Sequence, residues 1–111
     1  MYRSTITIPR HYNDGREVPA DVTSGIESEI LDVFGGFTVT ESRGAWRDGD
    51  TVYVEPVGVY TCDSDADESG AIERIAETVA ELLSQEAVYV THAAPDGAQT
   101  RAFVERAPIF A

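Results

Sequence analysis

Phe37-Thr38-Val39-Thr40-Glu41 and Thr51-Val52-Tyr53-Val54-Glu55-Pro56-Val57-Gly58-Val59-Tyr60 decide how this chain folds. Both runs are rich in β-branched and aromatic residues, which fit a pleated, half-buried surface. Between them lies Asp48-Gly49, a dipeptide favoured in the two-residue type I′ turn of a hairpin. The runs therefore read as two antiparallel strands, the second and third of the chain. Pro56 is the awkward residue, because a proline inside a central strand loses a ladder hydrogen bond. A bulge over Pro56-Val57-Gly58 is the expected solution, with residues 50 to 55 left to a hairpin that projects from the sheet.

Toward the N-terminus, Tyr2, Ser4, Ile6 and Ile8 alternate with Arg3, Thr5 and Thr7, a strand that Pro9 ends. A polar loop through the turn Asn13-Asp14-Gly15 reaches Pro19. Val22, Ile26, Ile30 and Val33/Phe34 then recur at helical spacing from Ala20 or Asp21, until Gly35-Gly36 stops the helix. Toward the C-terminus, the acidic run Asp63 to Glu68 opens a second helix, with Asp65 and Glu68 at capping-box spacing. That run lacks the glycine and closing glutamate of a calcium loop. Ile72, Ile75, Ala76, Val79, Leu82 and Leu83 form one apolar stripe. Glu86 to Thr91 is a fourth strand, Pro95-Asp96-Gly97 a turn, and Gln99 to Glu105 a fifth strand.

The order β-α-β-β-α-β with one strand added is the ferredoxin-like α+β arrangement: an antiparallel sheet with both helices on one face. Right-handed crossovers give the sheet order 4-1-3-2, with strand five beside strand four. Residues 1 to 106 form one domain, and 107 to 111 a short apolar tail.

Composition speaks about surroundings. Twenty Asp and Glu stand against eight Arg and no Lys, a formal net charge of -12 in 111 residues. Charge this far from zero repels itself in the compact state. Multimolar salt, with a Debye length of about 3 Å or less, would remove that cost. The simplest reading is a cytoplasmic protein of a salt-loving organism or its virus. A high-GC genome would explain the missing Lys but not the acid excess. An acidic surface disfavours duplex nucleic acid and anionic membranes as partners. No apolar run approaches the ~20 residues of a membrane-spanning helix, and the alternating N-terminus is not a signal peptide. The single Cys62 forms no internal disulfide, and its acidic neighbours Asp63 and Asp65 dull it as a nucleophile. No cofactor motif or metal-ligand spacing is present.

In the expected topology, the end of strand one, the hairpin and the start of helix one share one end. That end collects Arg10, His11, Tyr12, Arg16, Arg43, Trp46 and Arg47: four of the eight arginines, one of two histidines and the single tryptophan. Forked arginine donors suit phosphate or carboxylate, and Trp46 or Tyr12 offers a stacking face, so the set suits a small anionic or nucleotide-like ligand. The competing reading is structural: Arg43 and Arg47 pair with Glu41, Asp48 or Asp50, and Trp46 packs under the turn. The sheet face away from the helices, carrying Tyr53 or Val54, Val57 or Val59, Tyr89 and Phe103, is a candidate homo-oligomer interface.

In element order the chain resembles dimeric α+β barrel proteins, among them small monooxygenases and isomerases. That resemblance implies pairing through the open sheet and a single His or Tyr base. His92, at the end of strand four, is a candidate base, set against a solvated surface histidine. The segments Asn13-Asp14-Gly15, Phe34-Gly35-Gly36-Phe37-Thr38, Gly44-Ala45-Trp46-Arg47 and Gln85-Glu86-Ala87-Val88-Tyr89-Val90 resemble those of small uncharacterised prokaryotic and viral proteins. The leading expectation is non-catalytic binding of the anionic ligand, with sequestration as its outcome. The alternatives are a small-molecule enzyme of the α+β barrel type and a protein-protein interaction module.

Overall fold

The structure, a computed structural model, describes residues 1 to 106; the tail expected at 107 to 111 lies outside the described residues. Seven elements follow in order: β1 (Tyr2–Pro9), α1 (Ala20–Phe34), β2 (Thr38–Asp48), β3 (Thr51–Ser64), α2 (Ser69–Leu82), β4 (Ala87–Ala93) and β5 (Gln99–Glu105). The five strands form one antiparallel sheet in the order β2-β3-β1-β4-β5. This is the ferredoxin-like α+β fold with an added strand, in the strand order expected from the sequence.

Alternation along the strands sorts the two faces. Ile6, Ile8, Tyr60, Cys62, Val88 and Val90 all point to one side and are buried there against Ile26 and Ile30 of α1 and Ile72, Ile75, Ala76 and Val79 of α2. The apolar stripe on α2 ends differently from its expected form: Leu83 is fully buried, whereas Leu82 is half exposed. α1 stops at Gly35, whose left-handed φ of 75° lets its N–H reach the Leu31 carbonyl at 2.8 Å.

Three local expectations need correction. The acidic run Asp63 to Glu68 does not begin a helix. β1 holds β3 in register as far as Tyr2↔Ser64, so the strand outlasts its apolar stretch and α2 starts only at Ser69. The Asp65–Glu68 capping box does not form; the Asp67 carboxylate instead accepts the Ser69 N–H at 2.9 Å. The hairpin turn is also shifted by one residue. Asp48 pairs with Thr51, leaving Gly49-Asp50 as the loop, and positive φ at Gly49 alone (61°) matches the type II′ sign pattern instead of type I′.

No bulge forms at Pro56. The β2–β3 register runs unbroken from Thr38↔Thr61 to Asp48↔Thr51, with Arg43 opposite Pro56. The Pro56 carbonyl faces β1 and accepts the Arg10 N–H at 3.1 Å. Backbone N–H and C=O of one strand residue point the same way, so the donor missing at Pro56 would have faced the Arg10 carbonyl. Val18 N–H takes that place at 2.9 Å, so the ladder keeps its count without a bulge. β1 pairs with β3 only from Val57 onward, so the ribbon beyond it projects, as expected.

Candidate functional site

Arg10 follows directly after β1, where the chain leaves the sheet. Its guanidinium grips Glu41 of β2 in a fork, Nη2 to Oε1 at 2.6 Å and Nε to Oε2 at 3.0 Å. The remaining nitrogen, Nη1, donates to the Tyr60 hydroxyl at 3.0 Å, and the cation lies 5.4 Å from the Tyr60 ring centre. Tyr60 in turn donates to Glu27 of α1 at 2.6 Å. Arg10 thus joins β2, β3 and, through Tyr60, α1 in one chain: Glu41–Arg10–Tyr60–Glu27. Gly58 makes room for it, since a Cβ there would stand 2.1 Å from Arg10 Nη2.

The charges tune one another. The hydrogen-bonded Arg10 holds Glu41 below the usual carboxylate range, while Glu41 raises the already high pKa of Arg10. Burial, followed by the Glu27 hydrogen bond, pushes the Tyr60 phenol up to about 12 against the opposing pull of Arg10. Tyr60 therefore stays protonated at neutral pH and acts as a donor, leaving Glu27 as the acceptor at the end of the chain.

The seven residues expected to form one pocket lie near one end of the molecule, but they do not form one constellation. Arg10 is committed to Glu41 and Tyr60. Arg16 pairs with Asp14 at 2.7 Å within its own loop and lies 4.8 Å from the Tyr12 ring centre. His11 bridges to Glu17 through the backbone, and its Nδ1 is buried with no hydrogen-bond partner. Arg43 and Arg47 stand on the helix side of the ribbon, in register with Pro56 and Val52, and neither has an ion-pair partner among the described residues. Trp46 stands on the opposite side, stacked on Tyr53 with centroids 5.4 Å apart. Period-two alternation forbids Trp46 from sharing a ligand with Arg43 and Arg47 on one face. Of the three partners expected for the hairpin arginines, Glu41 belongs to Arg10, and neither Asp48 nor Asp50 forms an ion pair with them.

Two further groups bear on chemistry. His92, a candidate base or solvated histidine from its position, is largely buried instead. Its Nδ1 lies 3.0 Å from the Ser4 hydroxyl, its Nε2 lies 3.2 Å from Asp67 Oδ1, and its ring stacks on Tyr2. The order Ser–His–Asp is that of a nucleophilic triad, yet Ser4 is fully buried in the middle of β1, out of reach of any substrate. Cys62 is inert, as expected, though chiefly for another reason: burial, ahead of Asp63, pushes its thiol up to about 11. Among the described residues, no three or more His, Cys, Asp or Glu converge as metal ligands, and no helix is long and apolar enough to cross a membrane.

The α+β architecture with this topology defines the class of protein. No family model and no curated protein matches the sequence. Among solved structures, a phage SAM lyase in complex with S-methyl-5′-thioadenosine shares the fold, with a TM-score of 0.73 and 14% identity over 94% of this chain and 88% of that one. A phage SAM lyase in the apo state matches over the same shares at a TM-score of 0.71 and 16% identity. The fold-level resemblance seen in the sequence holds, whereas the four quoted segments find no counterpart in these comparisons. Non-catalytic binding is overturned as the leading reading, because the solved structures that share the fold are lyases.

Proposed function

We propose that this chain is an enzyme acting on S-adenosylmethionine or a close sulfonium nucleoside, breaking the bond between sulfur and the amino-acid arm. The observation that carries the proposal is the likeness, over 94% of the chain, to a lyase bound to S-methyl-5′-thioadenosine. In that cleavage the carbon–sulfur bond breaks, its electron pair stays on sulfur, and the sulfonium becomes a neutral thioether. Positive charge at sulfur vanishes along the way, so the protein gains by gripping the ends of the arm while leaving the sulfur itself weakly stabilised.

The helix side of the hairpin base suits those ends. Glu27, at the end of the Tyr60 hydrogen bond, suits the ammonium group. Arg43, on the same side as Glu41 and two residues further along β2, suits the carboxylate as a forked donor. The substrate carries a net positive charge, so a chain of net charge -12 steers it inward. The acid excess also fits a protein working in the concentrated salt of a halophile's cytoplasm or its virus.

Incubation with S-adenosylmethionine, followed by chromatography for S-methyl-5′-thioadenosine, tests the reading. Thioadenosine must form faster than in a control with heat-inactivated protein, and more slowly with Arg43→Ala or Glu27→Gln. Equal rates with native and inactivated protein would remove the proposal. The accompanying fragment separates two routes: a lactone means capture by the substrate's own carboxylate, and an unsaturated amino acid means loss of a proton from the neighbouring carbon.

A further inference from the structure

The helix side of the β2–β3 ribbon is left uncovered beyond Gly58. Alternation puts Arg43, Ala45 and Arg47 of β2 on that side, opposite Pro56, Val54 and Val52 of β3. All six are exposed, Val54 and Val52 by 55% and 54%. They form a short aliphatic strip with an arginine at each end, and neither arginine has an ion-pair partner among the described residues. The strip itself carries no carboxylate, in a chain with 20 acidic residues. Glu41, just before it, is held by Arg10, while Glu55, Trp46 and Tyr53 stand on the other side of the ribbon.

Glu27 and Arg43 mark the ends of the substrate's amino-acid arm, and the strip is the surface that continues from them. Toward the sheet, the Glu41–Arg10–Tyr60 links close the space. Away from it, the strip runs open toward the ribbon tip. Four residues of strand separate Arg43 from Arg47, roughly 13 Å. An extended S-adenosylmethionine covers on the order of 12 Å between carboxylate and adenine, about nine single bonds apart. The sulfonium then lies over Ala45 and Val54, where aliphatic side chains leave its charge unpaired, as the cleavage requires. The adenine reaches Arg47, whose flat guanidinium stacks on a purine, with Val52 opposite it in register.

Resting on the cleavage reading above, we infer that Arg47, with Ala45, Val54 and Val52, is the nucleoside half of the substrate site and selects for a purine. The nucleoside passes through cleavage unchanged, so contacts with it are equally strong in the bound substrate and in the transition state. They set KM and leave kcat alone. S-methyl-5′-thioadenosine keeps this half of the molecule, so the same contacts hold the product. The Trp46–Tyr53 stack, the more obvious platform for a base, stands on the side away from Glu27 and Arg43 and takes no part.

Calorimetric titration with S-methyl-5′-thioadenosine reads this half of the site without any turnover. Arg47→Ala should weaken that binding roughly five-fold or more, with no loss of melting temperature. Arg47→Lys keeps the charge but not the flat face and should recover little of the loss. Trp46→Ala should leave binding unchanged. In turnover of S-adenosylmethionine, Arg47→Ala should raise KM by the same factor at constant kcat. The inference is overturned by a native chain that binds no thioadenosine, by full recovery in Arg47→Lys, or by binding lost in Trp46→Ala instead. Cleavage and binding both indifferent to Arg47→Ala would remove this inference alone. Arg47-dependent binding without cleavage would keep the nucleoside site and remove only the cleavage reading.

Discussion

The guanidinium of Arg10 lies directly over Gly58, with Nη2 2.1 Å from where a Cβ would stand. Glycine is needed there for space, and the space serves the link between Glu41 and Tyr60. Gly58→Ala should push Arg10 off both partners. Arg10 is long enough to swing into solvent, so the cost is the lost polar contacts, about 1 kcal/mol, without a collapse of the core. Arg10→Ala should cost a similar amount, and the double variant little more than either alone. Urea unfolding of the three variants checks this; full additivity would mean that Gly58 matters for some other reason.

Tyr60 separates ring from hydroxyl. Its ring fills the core between Phe37 and the helices, while its hydroxyl joins Glu27 to Arg10. Tyr60→Phe keeps the ring and should cost about 1–2 kcal/mol, because Glu27 and Arg10 are left to find water. Tyr60→Ala should cost about 3–5 kcal/mol through the cavity it opens. Equal losses for the two, measured by thermal or urea unfolding, would show that the hydroxyl contributes nothing.

Strand order and the helix-facing core were legible because period-two and helical spacing are properties of single elements. The candidate site was less legible because it depends on register between elements. Reading Arg43, Trp46 and Arg47 as neighbours in sequence hid the alternation that sends Trp46 to the other face. By sequence Glu41, like Asp48 and Asp50, is a local alternative for the hairpin arginines, whereas Arg10 reaches it over Gly58 of β3. Tyr60 did carry a signal: a tyrosine in a core strand needs a partner for its hydroxyl. Its partner lies 33 residues away on α1, a separation that local pattern does not reveal. Pro56 was correctly marked as a break in the ladder, but the repair comes from Val18 in the loop, which sequence spacing gives no reason to place there.

Salt should stabilise this chain. With a net charge of -12, the folded form concentrates repulsion that the expanded form relieves, and added ions screen it. The melting temperature should rise steadily from roughly 0.1 M to molar salt, where the Debye length falls to about 3 Å. The few exposed ion pairs, such as Arg3–Asp63 and Arg16–Asp14, pull weakly the other way and should not reverse the trend. A flat or falling curve would mean that the acid excess is no adaptation to salt.

Acid should loosen the Arg10–Glu41 link in a way that can be isolated. Arg10 lowers the folded pKa of Glu41, so the unfolded chain binds its proton at higher pH. The link therefore contributes its full stability above the unfolded value, about 4.3, and loses it as pH falls through the lower folded value. Asp14, Asp63 and Asp67 are also depressed and add the same trend, while protonation of the other carboxylates relieves self-repulsion and opposes it. Comparing the native chain with Arg10→Met cancels these shared effects. The native chain should be the more stable at neutral pH, and its advantage should shrink as pH falls through the lowered folded value of Glu41. Glu41 is largely solvent-exposed, so the effect is small and needs low ionic strength to be seen. Urea unfolding of both proteins across that pH range measures it; an advantage that stays constant as the pH falls would show that Arg10 acts through Tyr60 alone, whose phenol does not titrate there.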